Sequence, residues 1–344
     1  YGTYFTGKID GQGYHIYNMY INKSDLTEKS NFAGFIGGTN SESCDIININ
    51  LSGKIDIPAS VAQKTQVGSF VGKANALGNM INCHSDVEIN IMGAPAYVGG
   101  VLAFMKNANI KNCSYSGNIT IATSGKVTNG IGGILGCTNS STTGIEAVIN
   151  GCYFDGSIKN NGSGIPKYVA GINSYSNLSK AAETITNNYV IGTIDCTATD
   201  QGTVYGKTNT TNFDCENNYY YADYTLTGKG GIPMKIEEFH SGEVAYLLNG
   251  DQMEFLFGQE LDSDDNMPVV YRGSNRVYKT IFMYNNNEYA VLYNNTEMKF
   301  PKNPVPDDSP TFEGWYDEKG NRYDGNSTTQ TDLTLYANRS NRHR

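Results

Sequence analysis

Several stretches of the chain alternate apolar and polar residues with a period of two. The stretch INLSGKIDI brings Ile49, Leu51, Ile55 and Ile57 to alternate positions, with Gly53 between them. Successive side chains of a strand point to opposite faces, so one face is mostly apolar and the other polar. The same alternation recurs in CHSDVEINI, CSYSGNITI and CYFDGSI, which start at Cys83, Cys113 and Cys152. Each stretch therefore predicts a half-buried β-strand.

A second apolar phrase lies upstream of these strands. It reads FAGFIGG, VGSFVGK, VGGVLAF, IGGILGC and VAGINSY, starting at Phe32, Val67, Val98, Ile131 and Val169. Each copy has a large apolar residue with Gly or Ala two positions before it. These apolar residues are Phe35, Phe70, Val101, Ile134 and Ile172. Small residues let the chain bend or let backbones approach closely, so the phrase predicts a second strand beside a corner.

The two patterns belong to one repeat with a period of 30 to 39 residues. Aligned on a step that reads Ile-x-Asn-Cys in its clearest form, the copies begin at Ile16, Ile46, Met80, Ile110, Ile149, Ile185 and Cys215. One unit of this length cannot bury its apolar face, whereas stacked units share a continuous core. We therefore predict a mostly β chain in which residues 1–222 form a parallel, right-handed β-solenoid (β-helix) of about six to seven turns.

The seven cysteines are widely spaced and odd in number, and no C-x-x-C motif occurs. Neither a disulfide framework nor a zinc ribbon is expected from this pattern. Three of the cysteines share one position of the repeat, which other copies fill with different residues. Cys83, Cys113 and Cys152 align with Met19, Ile49 and Asn188. Free cysteine packs as a small hydrophobe, so we interpret the position as core rather than reactive or metal-binding.

Asparagine recurs immediately before this position. The aligned residues are Asn18, Asn48, Asn82, Asn112 and Asn187. Asparagine side chains can satisfy backbone groups at turns. We therefore predict a structural asparagine ladder rather than a ligand site.

The repeat resembles the GLUG-motif repeats of bacterial surface proteins. The resemblance rests on the opening FTGKIDGQGYHIYNMYI and on the G-F-I-G and G-x-I phrases that follow, and it covers roughly residues 5–221. It implies a secreted or wall-attached adhesin-like protein, or the non-catalytic part of an IgA-peptidase-like protein. GLUG repeats imply no catalytic motif of their own.

Residues 223–277 are predicted to form a linking or capping segment. Helical spacing in IPMKIEEFHSGEVAYLLNGD predicts one or two short helices, interrupted at Gly242 and ended at Gly250. The stretch around Arg272–Asn275 reads as a hairpin-like strand pair. The segment resembles one that often trails GLUG arrays, and the open end of a solenoid needs a polar cover.

Residues 278–338 differ in pattern again. TIFMYNNNEYAVLYNNTEMKF predicts a hairpin, and the residues after it resemble the Listeria–Bacteroides repeat, the B-repeat type of surface internalins. The landmarks of this resemblance are Pro304–Pro306, Phe312–Asp317 (FEGWYD) and Asp332–Ala337 (DLTLYA). It implies a small β-grasp-like module. We expect Trp315 to lie in its core rather than to stack on sugars, and residues 339–344 to form a tail.

Charge and hydropathy narrow the range of partners. The net charge is −9 with no basic stripe, which argues against nucleic acid and against an anionic membrane surface. No apolar run approaches ~18 residues, so no membrane span is expected.

Carboxylates of the predicted strands are the candidates for catalysis. Solenoid lyases and hydrolases cluster such groups on one face, often with Ca²⁺. The aligned copies give no such cluster from the acidic strand residues, which are Asp56, Asp86, Glu88, Asp155 and Asp195. We predict no catalytic residue and no cofactor, and therefore no enzyme.

A calcium loop is the remaining candidate for a metal site. Asp262, Asp264 and Asn266 imitate the start of such a loop, but Met267 and Gly273 stand where it needs Gly and Glu. None of the four histidines belongs to an HExxH motif. We therefore predict no metal site.

The sequence as a whole predicts a non-catalytic segment of an adhesin-like protein on the bacterial cell surface or wall. It would be a monomer that acts as a stalk, as a binding face for a host protein or glycan, or as both. Tyrosine offers a large contact area with a polar tip, so Tyr175, Tyr219, Tyr220 and Tyr221 are the candidate ligand-binding residues. Two alternatives remain: a carbohydrate-active enzyme of the β-helix class, and a non-catalytic region of a larger surface protease.

Overall fold

The computed structural model divides the chain into two compact units, Tyr1–Pro233 and Met234–Arg344. It describes residues 4–22, 31–60, 62, 65–123, 130–223, 226–251, 257–263, 267–270, 276–295, 297–304 and 312–339. Most of the described structure is β, with two short helices. The predicted division at residues 222, 277 and 338 is finer than these two units and stays a prediction.

The first unit is a parallel β-solenoid of about six turns, as the repeat predicts. A 21-stranded sheet and a six-stranded sheet run through the stack, and every turn pairs in parallel with the turns beside it. Five full turns lie between two partial ones. Parallel strands buried in this way form a continuous apolar interior.

The strands of the partial first turn are Lys8–Asp10 and His15–Asn22. Those of the second and third turns are Phe32–Ala33, Ile36–Ile57, Gln66–Gly68, Val71–Ser85 and Glu88–Ile91. The fourth turn has Tyr97–Gly99, Leu102–Met105, Ala108–Lys111, Ser114–Tyr115 and Asn118–Ile121. The fifth has Gly130–Gly132, Leu135–Ser140, Glu146–Asn150, Tyr153–Phe154 and Ser157–Asn160. The sixth has Tyr168–Ala170, Asn173–Leu178, Ala182–Thr186, Tyr189–Val190 and Thr193–Asp195. The partial last turn has Asp200–Gly202, Tyr205–Thr208, Asn212–Glu216 and Tyr219–Tyr221, and Ile232–Met234 follows it.

The second unit begins with the two helices that the spacing predicts. They span Ile236–His240 and Glu243–Asn249, with Gly242 between them and Gly250 at the end. Phe257–Gly258 and Val269–Val270 then pair antiparallel. Arg272–Asn275, around which a hairpin-like strand pair was predicted, lie outside the described residues.

A five-stranded mixed sheet completes the second unit. Its order is Asn287–Asn294, Tyr278–Tyr284, Leu333–Arg339, Phe312–Tyr316 and Arg322–Tyr323. The predicted hairpin is confirmed, since the first two strands pair antiparallel around Asn285 and Asn286 with φ of 53° and 60°. Trp315 is 3% exposed and packs with Phe282 and Leu335, which confirms its core position.

The predicted register of the solenoid is confirmed from the second turn onward. One inward ladder runs through Ile46, Met80, Ile110, Ile149, Ile185 and Cys215. Another runs through Ile21, Ile55, Ile89, Ile119, Ile158 and Ile194. Most members of these ladders are buried completely.

The first copy was aligned incorrectly. Ile9, not Ile16, lies beside Ile46, and Ile16 lies beside Leu51. Met19 and Asn18 therefore do not belong to the cysteine and asparagine positions. Asn18 has a φ of 57° because the strand is irregular there, and this left-handed backbone imitates the corner that Asn marks in the other copies.

A residue with left-handed backbone, asparagine in every case but one, marks a corner of each turn from the second to the last. The φ values there are 57° at Asn48, 53° at Asn82, 54° at Asn112, 68° at Gly151, 58° at Asn187 and 51° at Asn217. Glycine and asparagine adopt this conformation at least cost. Side-chain bonds join part of the predicted ladder, from Asn82 Nδ2 to Asn48 Oδ1 at 3.0 Å and from Asn217 Nδ2 to Asn187 Oδ1 at 2.7 Å.

From the fourth turn onward, the residue after the corner hydrogen-bonds two backbone groups of the preceding turn. Between the fifth and sixth turns, regular pairing stops at Asn150 and resumes at Tyr153. Asn188 fills this gap: its Oδ1 accepts from the Cys152 N–H at 2.8 Å, and its Nδ2 donates to the Ile149 carbonyl at 3.1 Å. Asn188 is fully buried, so these bonds replace water for both backbone groups.

The cysteines make the same bridge with a thiol. Their packing role is confirmed, since Cys83, Cys113 and Cys152 are 0% exposed. The N–H of Cys83 hydrogen-bonds the thiol of Cys113, and the N–H of Cys113 that of Cys152. Each thiol hydrogen is within reach of two carbonyls, one in the preceding turn and one in its own turn. The distances are 3.3 Å to Ile46 and 3.5 Å to Ile81 for Cys83, 3.5 Å to Met80 and 3.3 Å to Lys111 for Cys113, and 3.8 Å to Ile110 and 3.6 Å to Asn150 for Cys152. The position therefore takes side chains that both donate and accept.

Replacing Asn188 tests this bridge. Asn188→Ala leaves the buried Cys152 N–H without this partner and removes one hydrogen bond to the Ile149 carbonyl; an unsatisfied buried group costs about 1–3 kcal/mol. We expect the free energy of unfolding to fall by roughly 2 kcal/mol, measured by urea unfolding with circular dichroism.

Asn188→Cys restores a group that donates and accepts, so we expect a loss below about 1 kcal/mol. The exposed Asn161→Ala is the control and should stay within about 0.5 kcal/mol of the wild type. Equal losses for Asn188→Ala and Asn188→Cys would show that the bridge contributes nothing.

Candidate functional site

The four tyrosines proposed as ligand contacts occupy different parts of the solenoid. Tyr175 lies on the sixth turn in the strand Asn173–Leu178, where it pairs with Lys207. Tyr219, Tyr220 and Tyr221 form the last strand of the partial final turn. They therefore do not combine into one surface.

The final three tyrosines extend ladders that begin on earlier turns. Tyr219 is 5% exposed and continues the ladder of Tyr153 and Tyr189, whose rings stack at 4.9 Å. Tyr220 is half-buried and packs against the solenoid core. Tyr221 donates its hydroxyl hydrogen to Asp223 Oδ2 at 2.7 Å. Of the four tyrosines, Tyr175 is the one that belongs to a larger aromatic surface.

Two outward-facing ladders meet where each turn bends between its two sheets. The ladder before the bend runs through Phe32, Gln66, Tyr97, Gly130, Tyr168 and Asp200. The ladder after the bend runs through Gly38, Lys73, Phe104, Cys137, Tyr175 and Lys207. We call the large side chains of both ladders the aromatic–lysine stripe; they are Phe32, Lys73, Tyr97, Phe104, Tyr168, Tyr175 and Lys207.

Ring and cation contacts connect the stripe across the bend. The Lys73 ammonium lies 5.1 Å from the centre of the Phe32 ring and 5.8 Å from that of Phe104. The Phe104 and Tyr97 rings are 5.9 Å apart. Further along, Tyr168 and Tyr175 stack at 4.4 Å with 11° between their planes. Every member of the stripe is partly exposed, so the stripe is a surface and not part of the core.

The electrostatics of the stripe favour a negatively charged ligand. Burial, together with the nearby Lys106 ammonium, lowers the pKa of Lys73. Burial raises the pKa of Tyr97 and of Tyr175, so both phenols stay neutral at physiological pH. Asp200 is the carboxylate of the two ladders, and it lies 3.6 Å from the Lys229 ammonium.

The strand carboxylates weighed for catalysis do not converge. Asp86 and Glu88 are exposed, as their alternation predicts, but Glu88 lies between Lys54 and Asn118 of the adjoining turns. Within the described residues, no three His, Cys, Asp or Glu side chains are placed to hold a metal ion. Asp264 and Asn266 of the calcium-like stretch lie outside the described residues.

Glu183 is a buried carboxylate that the sequence analysis did not identify. It faces inward between Ala147 and Phe213 and is 0% exposed. Its Oε1 accepts from Thr138 Oγ1 at 2.6 Å and from Asn173 Nδ2 at 2.8 Å. Its place in an inward-facing ladder is what identifies Glu183 as buried. That place is recognisable only once the register of its turn with the turns before and after it is known.

Burial raises the pKa of Glu183 to about 7, against the lowering effect of hydrogen bonds from Ser176, Thr138 and Asn173. Its Oε2 has no partner among the described residues. A raised pKa is typical of a general acid, but complete burial denies this group a substrate. Glu183 is therefore part of the polar core rather than of a catalytic site.

Comparison with known proteins gives one partial match. The chain is 27% identical over 195 residues to an immunoglobulin A1 protease of Streptococcus sanguinis, and the aligned part covers 56% of this chain. It spans 9% of the length of that protein. No protein-family model and no solved structure matches the chain. In the described part of the chain, no helix has the length and apolar character needed to cross a bilayer.

Titration of Glu183 should make the stability of the solenoid depend on pH. Because burial raises its folded pKa from 4.5 to about 7, the folded state holds a proton that the unfolded chain releases between these values. The free energy of unfolding should therefore fall by about 3 kcal/mol as pH rises across this window. Urea unfolding at successive pH values measures this change.

Glu183→Gln removes the titrating group, so the difference in stability between wild type and variant should change with pH in this window and level off above it. Glu146→Gln, an exposed change in the strand beside Glu183, is the matched control. A pH profile shared by all three proteins would contradict the assignment.

Proposed function

We propose that the chain is a non-catalytic segment of a large bacterial cell-surface protein. In this proposal the solenoid acts as a stalk and presents the aromatic–lysine stripe to a host protein or glycan. The observation that carries the proposal is the stripe itself, since partly exposed rings and lysines extend along the stacked turns. A regular stack of turns offers such an extended face without a cleft.

An extracellular location is part of the proposal. The similarity to an immunoglobulin A1 protease supports it, because immunoglobulins are secreted and an enzyme acting on them works outside the cell. The resemblance of the repeats to GLUG arrays of surface proteins points the same way. All seven cysteines are free and six are buried, so the fold does not depend on a particular redox state of the surroundings.

Two features of the chain support the finer domain proposals. Thr203 N and Val204 N donate to the carbonyls of Thr227 and Lys229, so the segment after the last turn covers part of its edge. This contact supports a cap at that end of the solenoid. In the second unit, the first and last strands of the sheet, Tyr278–Tyr284 and Leu333–Arg339, pair in parallel at its centre. This order supports the proposed β-grasp-like module of the Listeria–Bacteroides type.

The comparison favours one of the alternatives as a more specific form of this proposal. The chain would then be a non-catalytic region of a large surface protease, because its one partial match carries that name and is far longer. The test is to measure cleavage of immunoglobulin A1 by the isolated chain. We expect no cleavage, whereas cleavage would place catalysis in this chain.

An assay of polysaccharide turnover distinguishes the proposal from the alternative that the chain is a carbohydrate-active enzyme of the β-helix class. The purified chain is incubated with acidic and neutral polysaccharides, while ultraviolet absorbance of unsaturated uronates and release of reducing ends are followed. We expect no turnover, because the exposed Asp86 and Glu88 do not align with other carboxylates. Turnover that disappears in Asp86→Asn or Glu88→Gln would overturn the proposal.

Binding is measured separately, on an array of glycans and host matrix proteins. We expect binding by the wild-type chain and weaker binding by Tyr168→Leu, which removes one ring of the stripe. The matched control is Tyr17→Leu, which removes an exposed tyrosine of the first turn. If both variants bind like the wild type, the stripe is not the binding face.

A further inference from the structure

We infer that the aromatic–lysine stripe binds a linear anionic glycan, that is, a polysaccharide with carboxylate or sulfate groups. This inference rests on the proposed function and names the ligand class of its binding face. It is carried by the charge of the stripe and by the arrangement of its rings.

The stripe concentrates positive charge on an acidic protein. The net charge of the chain is −9, yet Lys73 and Lys207 belong to the stripe, and the exposed Lys106 directly follows the strand that contains Phe104. Within the described residues no carboxylate pairs with any of these three lysines. The Lys106 charge is close enough to Lys73 to lower its pKa, and an anion placed between them would relieve this repulsion.

The carboxylate on the two ladders does not cancel this charge. Asp200 stands on the last turn, as Lys207 does, and the Lys229 ammonium lies 3.6 Å from it. The Lys229 ammonium also donates to the Gly206 carbonyl at 2.8 Å. Lys73 and Lys106, on the third and fourth turns, lie away from Asp200, so this part of the stripe keeps its positive charge and is complementary to an anion.

The rings give the surface its preference for a sugar chain. Phe32, the pair Tyr97 and Phe104, and the pair Tyr168 and Tyr175 stand on the second, fourth and sixth turns of two adjoining ladders, so the rings form a line along the stack with a repeat of two turns, about 10 Å. Sugars present apolar C–H surface beside polar groups, and aromatic side chains with large contact areas suit such ligands. A linear glycan can lie along this line and place its anionic groups at the lysines. An acidic peptide would use the lysines but would leave the rings without matching partners.

Titration calorimetry with defined probes tests the inference. The probes are a hyaluronan oligosaccharide, a chondroitin sulfate oligosaccharide, a neutral cello-oligosaccharide and a poly-glutamate peptide. We expect the wild-type chain to bind at least one of the two anionic oligosaccharides, more tightly than the other two probes. Binding should weaken at high salt, since exposed charges are screened.

Three variants identify the surface. In Lys73→Gln/Lys207→Gln both stripe lysines are neutral, and we expect affinity for the bound oligosaccharide to fall about tenfold or more. Tyr168→Leu should weaken binding at both salt concentrations, because it removes ring contact rather than charge. Lys159→Gln removes an exposed lysine from a different ladder and should bind like the wild type. Circular dichroism checks that all variants are folded.

Each other outcome overturns the inference. It fails if the wild type binds neither anionic oligosaccharide, or if the double lysine variant binds as tightly as Lys159→Gln. Equal affinity for poly-glutamate would replace the glycan with an acidic peptide. The proposed function survives these failures if the array still identifies a neutral glycan or host protein at the stripe. It is lost if the polysaccharide or immunoglobulin assays detect turnover, or if Tyr168→Leu and Tyr17→Leu both bind like the wild type on the array.

Discussion

The solenoid depends on how each turn satisfies its backbone at the left-handed corner. A parallel stack can repeat only if every buried N–H and carbonyl finds a partner in the neighbouring turn. At the corner the regular pairing stops for two residues, and the following residue of the next turn closes the gap. Asn188 does so with an amide, and Cys113 and Cys152 with a thiol. At this position the inside of the solenoid therefore requires a side chain that forms hydrogen bonds, whereas the isoleucine ladders require apolar packing.

This constraint explains why cysteine, asparagine and isoleucine can occupy one ladder. The Ile49 side chain has no hydrogen-bond donor. The first turn needs none at this point, because its backbone groups form hydrogen bonds of their own at the corner. Gly13 N donates to the Asn48 carbonyl, and Tyr14 N donates to the Gly11 carbonyl. A Cβ atom at Gly11 would collide with the side chain of Ile49. Glycine at this corner of the first turn therefore leaves the space that the large apolar side chain of Ile49 occupies.

Period and register were predictable because they depend on local chemistry that recurs. The alternation around Ile119 and the left-handed corners at Asn82 and Asn112 are each visible within a few residues. The first turn was not predictable in this way, since Asn18 repeats the local signal at a bulge. The surroundings of Glu183 and the stripe both depend on which strands become neighbours in the fold. Tyr97 and Phe104 meet across a bend, and Glu183 is enclosed by residues of three turns. Tyr175 was identified from its chemistry alone, without its stacking partner Tyr168.

The stripe is not a requirement of the fold, which strengthens its assignment to binding. Gln66 and Gly130 occupy the same ladder as Tyr97 and Tyr168, and Gly38 occupies the same ladder as Phe104, yet parallel pairing continues through all of them. Rings are therefore optional at these positions for folding. A partly exposed ring leaves apolar surface in water, which a stalk alone has no reason to retain. Lysines placed between such rings keep the surface soluble and supply the charge that an anionic ligand would neutralise.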